Sequence, residues 1–326
     1  MRRTILSLFA LVLVLGVAAC GSDDENGTST ATGGATAPAE AASDEIASNP
    51  ENASTTITIG SKNFTEQKIL GEIYAQALSA AGYDVDTELN LGDEKTALKA
   101  LEDGQIDGYP EYTGTALLSF FGVKTEDLPT DAQAAYDQVK ADFAKDGIEA
   151  LPPTPFTSSN EVGLTKEKAE ELGGITKISE LEGQEDGLKL YGTPECRQRL
   201  DCLLGLEQVY GLDLRDDFTP VDPSLRHEVL DKGQADLSIV FTTDPQNRDL
   251  VLLEDDKGMF PPYNSTFLVK QSFLQDAGPD MAQTIELVTE GLTDEVMQEL
   301  NARVDLDKET PEAAAKAYLQ ESGYIS

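Results

Sequence analysis

Residues 107–116 read DGYPEYTGTA. They gather two tyrosines, a glutamate and two threonines around a proline, in a chain with no tryptophan and 10 tyrosines in 326 residues. The stretch follows a run patterned as a strand and opens a helix, a junction where polar groups can meet a ligand. The residues that would support catalysis are sparse by comparison. The single histidine, His227 in SLRHEVL, falls mid-helix and reads as a partly exposed helix residue. No serine sits in a G-x-S-x-G elbow, and neither a G-x-G-x-x-G nor a P-loop occurs. The many carboxylates are scattered on helix faces and read as a solvated surface. Cys196 and Cys202, in ECRQRLDC, form a close pair that reads as a disulfide closing a small loop; the alternative is two unpaired thiols. A metal site is not expected, because one histidine and no further thiols are at hand. The chemistry these residues support is binding without a cofactor, not catalysis.

The elements that must position them alternate between strand and helix. TTITIGS (55–61) alternates β-branched residues and ends in glycine. The following helix has Asn63 as its cap with Glu66 three residues on, and Ile69, Leu70, Ile73, Tyr74, Ala77 and Leu78 form one apolar stripe. VDTELNLG returns as a strand, EKTALKALEDGQ is a helix closed by Gly104, and IDGYP is a short strand. This order predicts a parallel sheet with crossover helices. A helix over 115–121 and a looser helical region to 145 lead into LPPTPF (151–156), an extended crossing. A second β/α alternation follows: strands at NEVGLTK, LKLYG and ADLSIVFTTD, and helices at LLGLEQVYG and SLRHEVLDKG. The proline pair in MFPPYN marks a crossing back, and three C-terminal helices close the chain, the last with Thr310 as cap and Pro311 at its first position. Two helix-covered sheets joined by two crossings predict a hinged α/β protein with its ligand site in the cleft between lobes.

Charge and the N-terminus bound the setting. Against 24 Lys and Arg stand 60 Asp and Glu, a net charge of −36. Such a surface repels nucleic acid and anionic headgroups. Arg2 and Arg3 precede an apolar run from residue 5 to 17 and then VAAC, a secretory leader too short to span a bilayer. Cys20 after the cut, followed by Gly21 and Ser22, resembles a bacterial lipobox. That resemblance implies removal of 1–19, lipid on Cys20 and anchoring outside the cytoplasmic membrane. Residues 20–55 are small, polar and acidic and read as a flexible tether. About 270 residues remain, enough for two lobes.

IGSKNFTEQKILGEIYAQAL, IDGYPEYTGTAL and EDDKGMFPPY closely resemble the substrate-binding proteins of osmoprotectant ABC transporters, which bind glycine betaine, choline, carnitine and relatives. The resemblance implies a type II periplasmic-binding-protein fold, with each lobe a mostly parallel sheet flanked by helices. The two crossings place lobe 1 at 56–155 and 262–326 and lobe 2 at 156–261. A monomer handing its solute to an ABC permease is the implied role. A quaternary ammonium has no N–H to donate and spreads its charge over methyl groups, so aromatic faces suit it, at about 0.5–2 kcal/mol each. A carboxylate tail needs cations, hydroxyls and helix-terminal N–H groups.

By resemblance, Tyr112 is a cage wall, Thr115 a carboxylate donor and Lys62 the matching cation. In ECRQR, Arg199 fits the carboxylate-gripping arginine, with Arg197 the other candidate. Phe241 stands where the family carries a tyrosine, Tyr263 is a further wall and Tyr191 a weaker one. The sequence departs from the family pattern in PFTSSNEVGLT, where an expected aromatic falls on Glu161 or on its neighbours Asn160 and Val162. A receptor for another small cationic or amino-acid solute, or an enzyme on the same scaffold, is the alternative.

Overall fold

The computed structural model describes residues 45–326, so the leader, Cys20 and most of the expected tether lie outside it. The part of the tether that is described is not loose. Ile46 packs against the core and its N–H donates to the Tyr324 carbonyl at 2.9 Å. Asn49 N donates to the Ala81 carbonyl, and Pro50–Ser54 forms a 3-10 turn with Asn52 buried. Ile46, alone among small polar residues, supplies the apolar contact, and Asn52 Nδ2 fixes the turn on Ala81 O and Asp280.

The first lobe opens with β1 (Thr56–Gly60), α1 (Thr65–Ala80), β2 (Asp84–Glu88), α2 (Glu94–Asp103) and β3 (Gly108–Tyr112). Period-2 patterning buries Ile57 and Ile59 in β1. The apolar stripe of α1 is fully buried, each large side chain contributing about 1.5–3 kcal/mol. Asp93 caps α2 by accepting from Thr96 N at 2.8 Å, and Gly104 ends it with φ 72°, a left-handed conformation that glycine adopts without strain. The chain continues through α3 (Thr113–Thr115), a π turn at Ala116–Phe120, α4 (Ala132–Lys145) and β4 (Ile148–Ala150).

The second lobe comprises β5 (Asn160–Thr165), α5 (Lys166–Glu171), β6 (Leu190–Gly192), α6 (Leu203–Tyr210), β7 (Phe218–Pro220), α7 (Glu228–Asp231), β8 (Leu237–Phe241) and β9 (Leu250–Leu253). β10 (Ser265–Lys270) then returns to the first sheet. It is followed by α8 (Gln271–Ala277), α9 (Pro279–Glu290), α10 (Asp294–Asp305) and α11 (Pro311–Glu321). Four helices, not three, close the chain, because Gly278 at φ 85° followed by Pro279 breaks the first segment in two.

The sheets have strand orders β2-β1-β3-β10-β4 and β7-β6-β8-β5-β9. Both are mixed. β1 pairs β2 and β3 in parallel, while β10 runs antiparallel to β3 and β4. β6 likewise pairs β7 and β8 in parallel, with β5 antiparallel to β8 and β9. The reversed strand in each sheet is the one arriving from the other lobe. The two crossings lie side by side, bridged at Thr157 and Asn264, with Ser158 N donating to Tyr263 O at 3.0 Å. Helices cover both faces of the first sheet: α1 and α9–α11 on one, α2 and α4 on the other.

The candidate ligand cleft

The loop after β1 places Lys62 and Phe64 at the strand's carboxyl end, and the β3–α3 junction places Tyr112 and Thr115 beside them. Across from these, the end of β8 supplies Phe241, the start of β5 supplies Asn160, and the loop before α6 supplies Arg199. Tyr263 enters from the returning crossing. All eight line one recess of about 800 Å³, open solvent included. Lys62, Tyr112, Thr115, Arg199, Phe241 and Tyr263 are therefore brought together. Arg197 is not: it donates to the Phe218 carbonyl and stacks on that ring, exposed outside the recess. Tyr191 packs instead on the small cluster of Val229 and Leu230.

The aromatic walls come from both sheets. Phe64 stacks on Tyr112 with ring centroids 6.1 Å apart and meets Phe241 at 5.3 Å. Gly114 in YTGT lets Tyr263 close in, because a Cβ there would lie 2.6 Å from the ring. Two walls already carry protein cations: Lys62 Nζ sits 4.5 Å from the Tyr112 centroid, and the Arg226 guanidinium 4.4 Å from that of Phe241.

Each cation at the cleft is matched by a buried carboxylate. Lys62 pairs with Glu111. Arg226 is bidentate on Asp244, with Nε to Oδ2 at 2.6 Å. Arg199 is bidentate on Asp201, with Nε to Oδ1 at 2.7 Å, and its Nη1 lies 3.5 Å from Glu94. Asp201 also accepts from Asn160 Nδ2 and from the Tyr263 hydroxyl. Burial pushes the Asp201 carboxyl up, but the Arg199 guanidinium outweighs it and holds the group below its ordinary range. Burial raises Glu111 despite the neighbouring Lys62 ammonium.

Several expectations need correction. Asn63 does not cap α1: Phe64 is the cap residue and no side chain bonds there. Glu66 turns inward instead, accepting from the Tyr112 hydroxyl at 2.6 Å, Thr243 Oγ1 at 2.5 Å and Asn301 Nδ2 at 2.9 Å. Burial raises its pKa, with these donors opposing. SLRHEVLDKG is not one helix, since a 3-10 turn at Pro223–Leu225 precedes the four-residue α7. His227 precedes α7 with Nε2 3.0 Å from Asp244.

Glu161 is the displaced site residue. Asn160 pairs with Phe241 across the β5–β8 ladder and faces the cleft, so Glu161, opposite Val240, points to the other face. Its Oε2 is buried without a hydrogen-bond partner, and burial pushes its pKa up to about 7. The folded state therefore holds a proton that the unfolded chain loses above about 4.5. Stability falls as pH rises from there through 7. Glu161→Gln should stabilise the protein at pH 8 by about 1–2 kcal/mol after allowance for partial solvation. It should change little at pH 4.5. Urea melts at the two pH values check this, and an equal effect at both would refute it.

Phe64, Glu94 and Arg226 are cleft residues that sequence reasoning did not single out, although Phe64 lies inside the SKNFTEQ motif, and Asp201 stands behind Arg199 as its partner. A cleft between two mixed sheets, walled by aromatics from both, defines a two-lobe solute receptor. The family model for the substrate-binding domain of the ABC-type glycine betaine transport system matches residues 55–321, and the chain belongs to that family. It is 37% identical to a glycine-betaine-binding protein of Pseudomonas aeruginosa, over 82% of this chain and 88% of the relative. It is also 28% identical to the glycine betaine-binding protein YehZ of Escherichia coli, over 84% of this chain and 93% of that one. The solved structure of apo YehZ superposes with a TM-score of 0.59 at 27% identity, covering 82% and 99% of the two chains. The protein is thus the extracytoplasmic substrate-binding component of an ABC importer. Among the described residues no helix is long and apolar enough to cross a membrane.

Proposed function

We propose that the cleft binds a quaternary-ammonium compatible solute of the glycine betaine, choline or carnitine kind and delivers it to the permease. The observation that carries this is the convergence of four aromatic rings, Phe64, Tyr112, Phe241 and Tyr263, from both lobes on one recess rich in carboxylates. Aromatic faces hold a charge spread over methyl groups, which hydrogen-bonding groups cannot address. Lys62, Thr115 and Arg199 meet the solute's polar tail. Ligand contacts to both lobes favour the closed state, which the permease reads. In this reading the protein acts as a monomer and as a solute receptor rather than an enzyme, as the family to which it belongs supports.

Calorimetry with ethanolamine and its mono-, di- and trimethylated forms tests the reading. Affinity should rise with each methyl group. A preference for the primary amine would turn the assignment to a receptor for amino-acid-like solutes. Cys20 carries the lipid anchor in this reading, so the wild type partitions into detergent and a Cys20→Ala variant does not. Delipidated wild type that still partitions would overturn the anchor.

A further inference from the structure

The proposed cleft holds an imbalance of charge that bears on the tail of its ligand. Three cations line it, Lys62, Arg199 and Arg226, and each is already in contact with its own buried carboxylate, on Glu111, Asp201 and Asp244 respectively. Three more carboxylates, Asp93, Glu94 and Glu195, line the same recess. The three lining cations thus each have a carboxylate partner behind them, and three further carboxylates line the recess with no lining cation left over for them.

Glu94 is the informative member. It is the first residue of α2 in lobe 1, yet its carboxylate lies 3.5 Å from Arg199 of lobe 2, with its side chain only 4% exposed. This is the place where a ligand carboxylate would have to meet the arginine. An entering carboxylate must displace Glu94, leaving a buried carboxylate unpaired, or sit against it. Either arrangement carries the cost of like charges or of an uncompensated buried ion. A cation with a hydroxyl tail avoids both: it adds positive charge to a negative cleft and offers a donor to a carboxylate that has room for one.

We infer that Glu94 is a specificity-determining residue that stands in for the ligand carboxylate at Arg199, so that the cleft prefers quaternary-ammonium alcohols to quaternary-ammonium acids. This rests on the proposed quaternary-ammonium function and narrows it. The tail is chosen by protein charge, the head by the aromatic walls.

Calorimetry of the purified protein with choline and with glycine betaine tests it, since the two share the trimethylammonium head and differ at the tail. The wild type should bind choline roughly tenfold or more tighter. Glu94→Gln keeps the shape, removes the charge, and should raise betaine affinity about tenfold relative to choline. Betaine binding as tightly as choline to the wild type, or an unchanged ratio in Glu94→Gln, overturns the inference while leaving the proposed function standing. Failure of both ligands overturns the function and the inference with it. The wild-type ratio needs no variant, so a poorly folding substitution does not spare the proposal.

Discussion

Arg199→Ala should lower the free energy of unfolding at neutral pH by about 3–5 kcal/mol, the usual cost of removing one partner of a buried ion pair. Asp201 is fully buried and keeps only Asn160 and Tyr263 as side-chain donors once the guanidinium is gone, and Glu94 loses its cation as well. The pH dependence separates this from loss of packing. In the wild type the depressed Asp201 carboxyl contributes stability that is present above its unfolded pKa of about 4 and is lost as pH falls below it. Without Arg199 the desolvation outweighs the remaining donors, and the Asp201 pKa rises above its unfolded value. The variant then gains relative stability as pH falls. The gap between wild type and variant should be widest near pH 7 and shrink toward pH 4, as followed by denaturant melts. A pH-independent gap would mean that the guanidinium stem, not its charge, carries the effect. Arg199→Lys should recover only part of the loss, because an ammonium cannot make the fork.

Tyr112→Ala should weaken every trimethylammonium ligand by about 2–3 kcal/mol, roughly 30- to 150-fold. The loss combines a desolvated cation–π contact with the stacking of Phe64 on the missing ring. Tyr112→Phe separates face from hydroxyl. The ring survives, so affinity should change by less than about threefold. Stability should still fall by about 1–2 kcal/mol, because Glu66 loses its 2.6 Å donor while staying buried. Calorimetry against a thermal melt distinguishes the two. If the phenylalanine variant lost affinity as severely as the alanine one, the hydroxyl rather than the face would be the recognition element.

Much of the architecture was legible. The apolar stripe of α1, the Gly104 close of α2 and the Thr310–Pro311 start of α11 stand where local pattern puts them. What pattern could not show was direction. Nothing in STFLVK or NEVGLT says which way the strand runs, so the antiparallel insertions β10 and β5 emerged only from the crossings they belong to. The cleft divides the same way. Tyrosines and arginines in unusual motifs stand out among few of their kind, whereas Glu94, Glu111 and Asp201 are three acids among 60 and nothing local marks them as buried. Glu161 illustrates register: a slip of one residue moves a side chain to the opposite face, and Asn160 took the cleft. Arg226 was hidden because the helix read into SLRHEVLDKG starts only at Glu228, leaving Arg226 at the end of the 3-10 turn before it.

The Cys196–Cys202 bridge, with Cα atoms 5.1 Å apart, encloses Arg199 and Asp201 in one short ring of chain. Closing so small a loop removes about 2 kcal/mol of freedom from the unclosed chain in the entropic view. That freedom belongs to the two residues whose mutual geometry sets the charge at the cleft. In a reducing compartment the ring stays open and the folded state must order that segment without help from the bridge, at lower stability. Where disulfides persist, the ordering is done once, at oxidation. The redox state of the surroundings thereby acts as a maturation step: a chain still inside the cytoplasm carries a softer receptor than the same chain after export. Solute capture is tied to arrival on the side of the membrane where capture is useful.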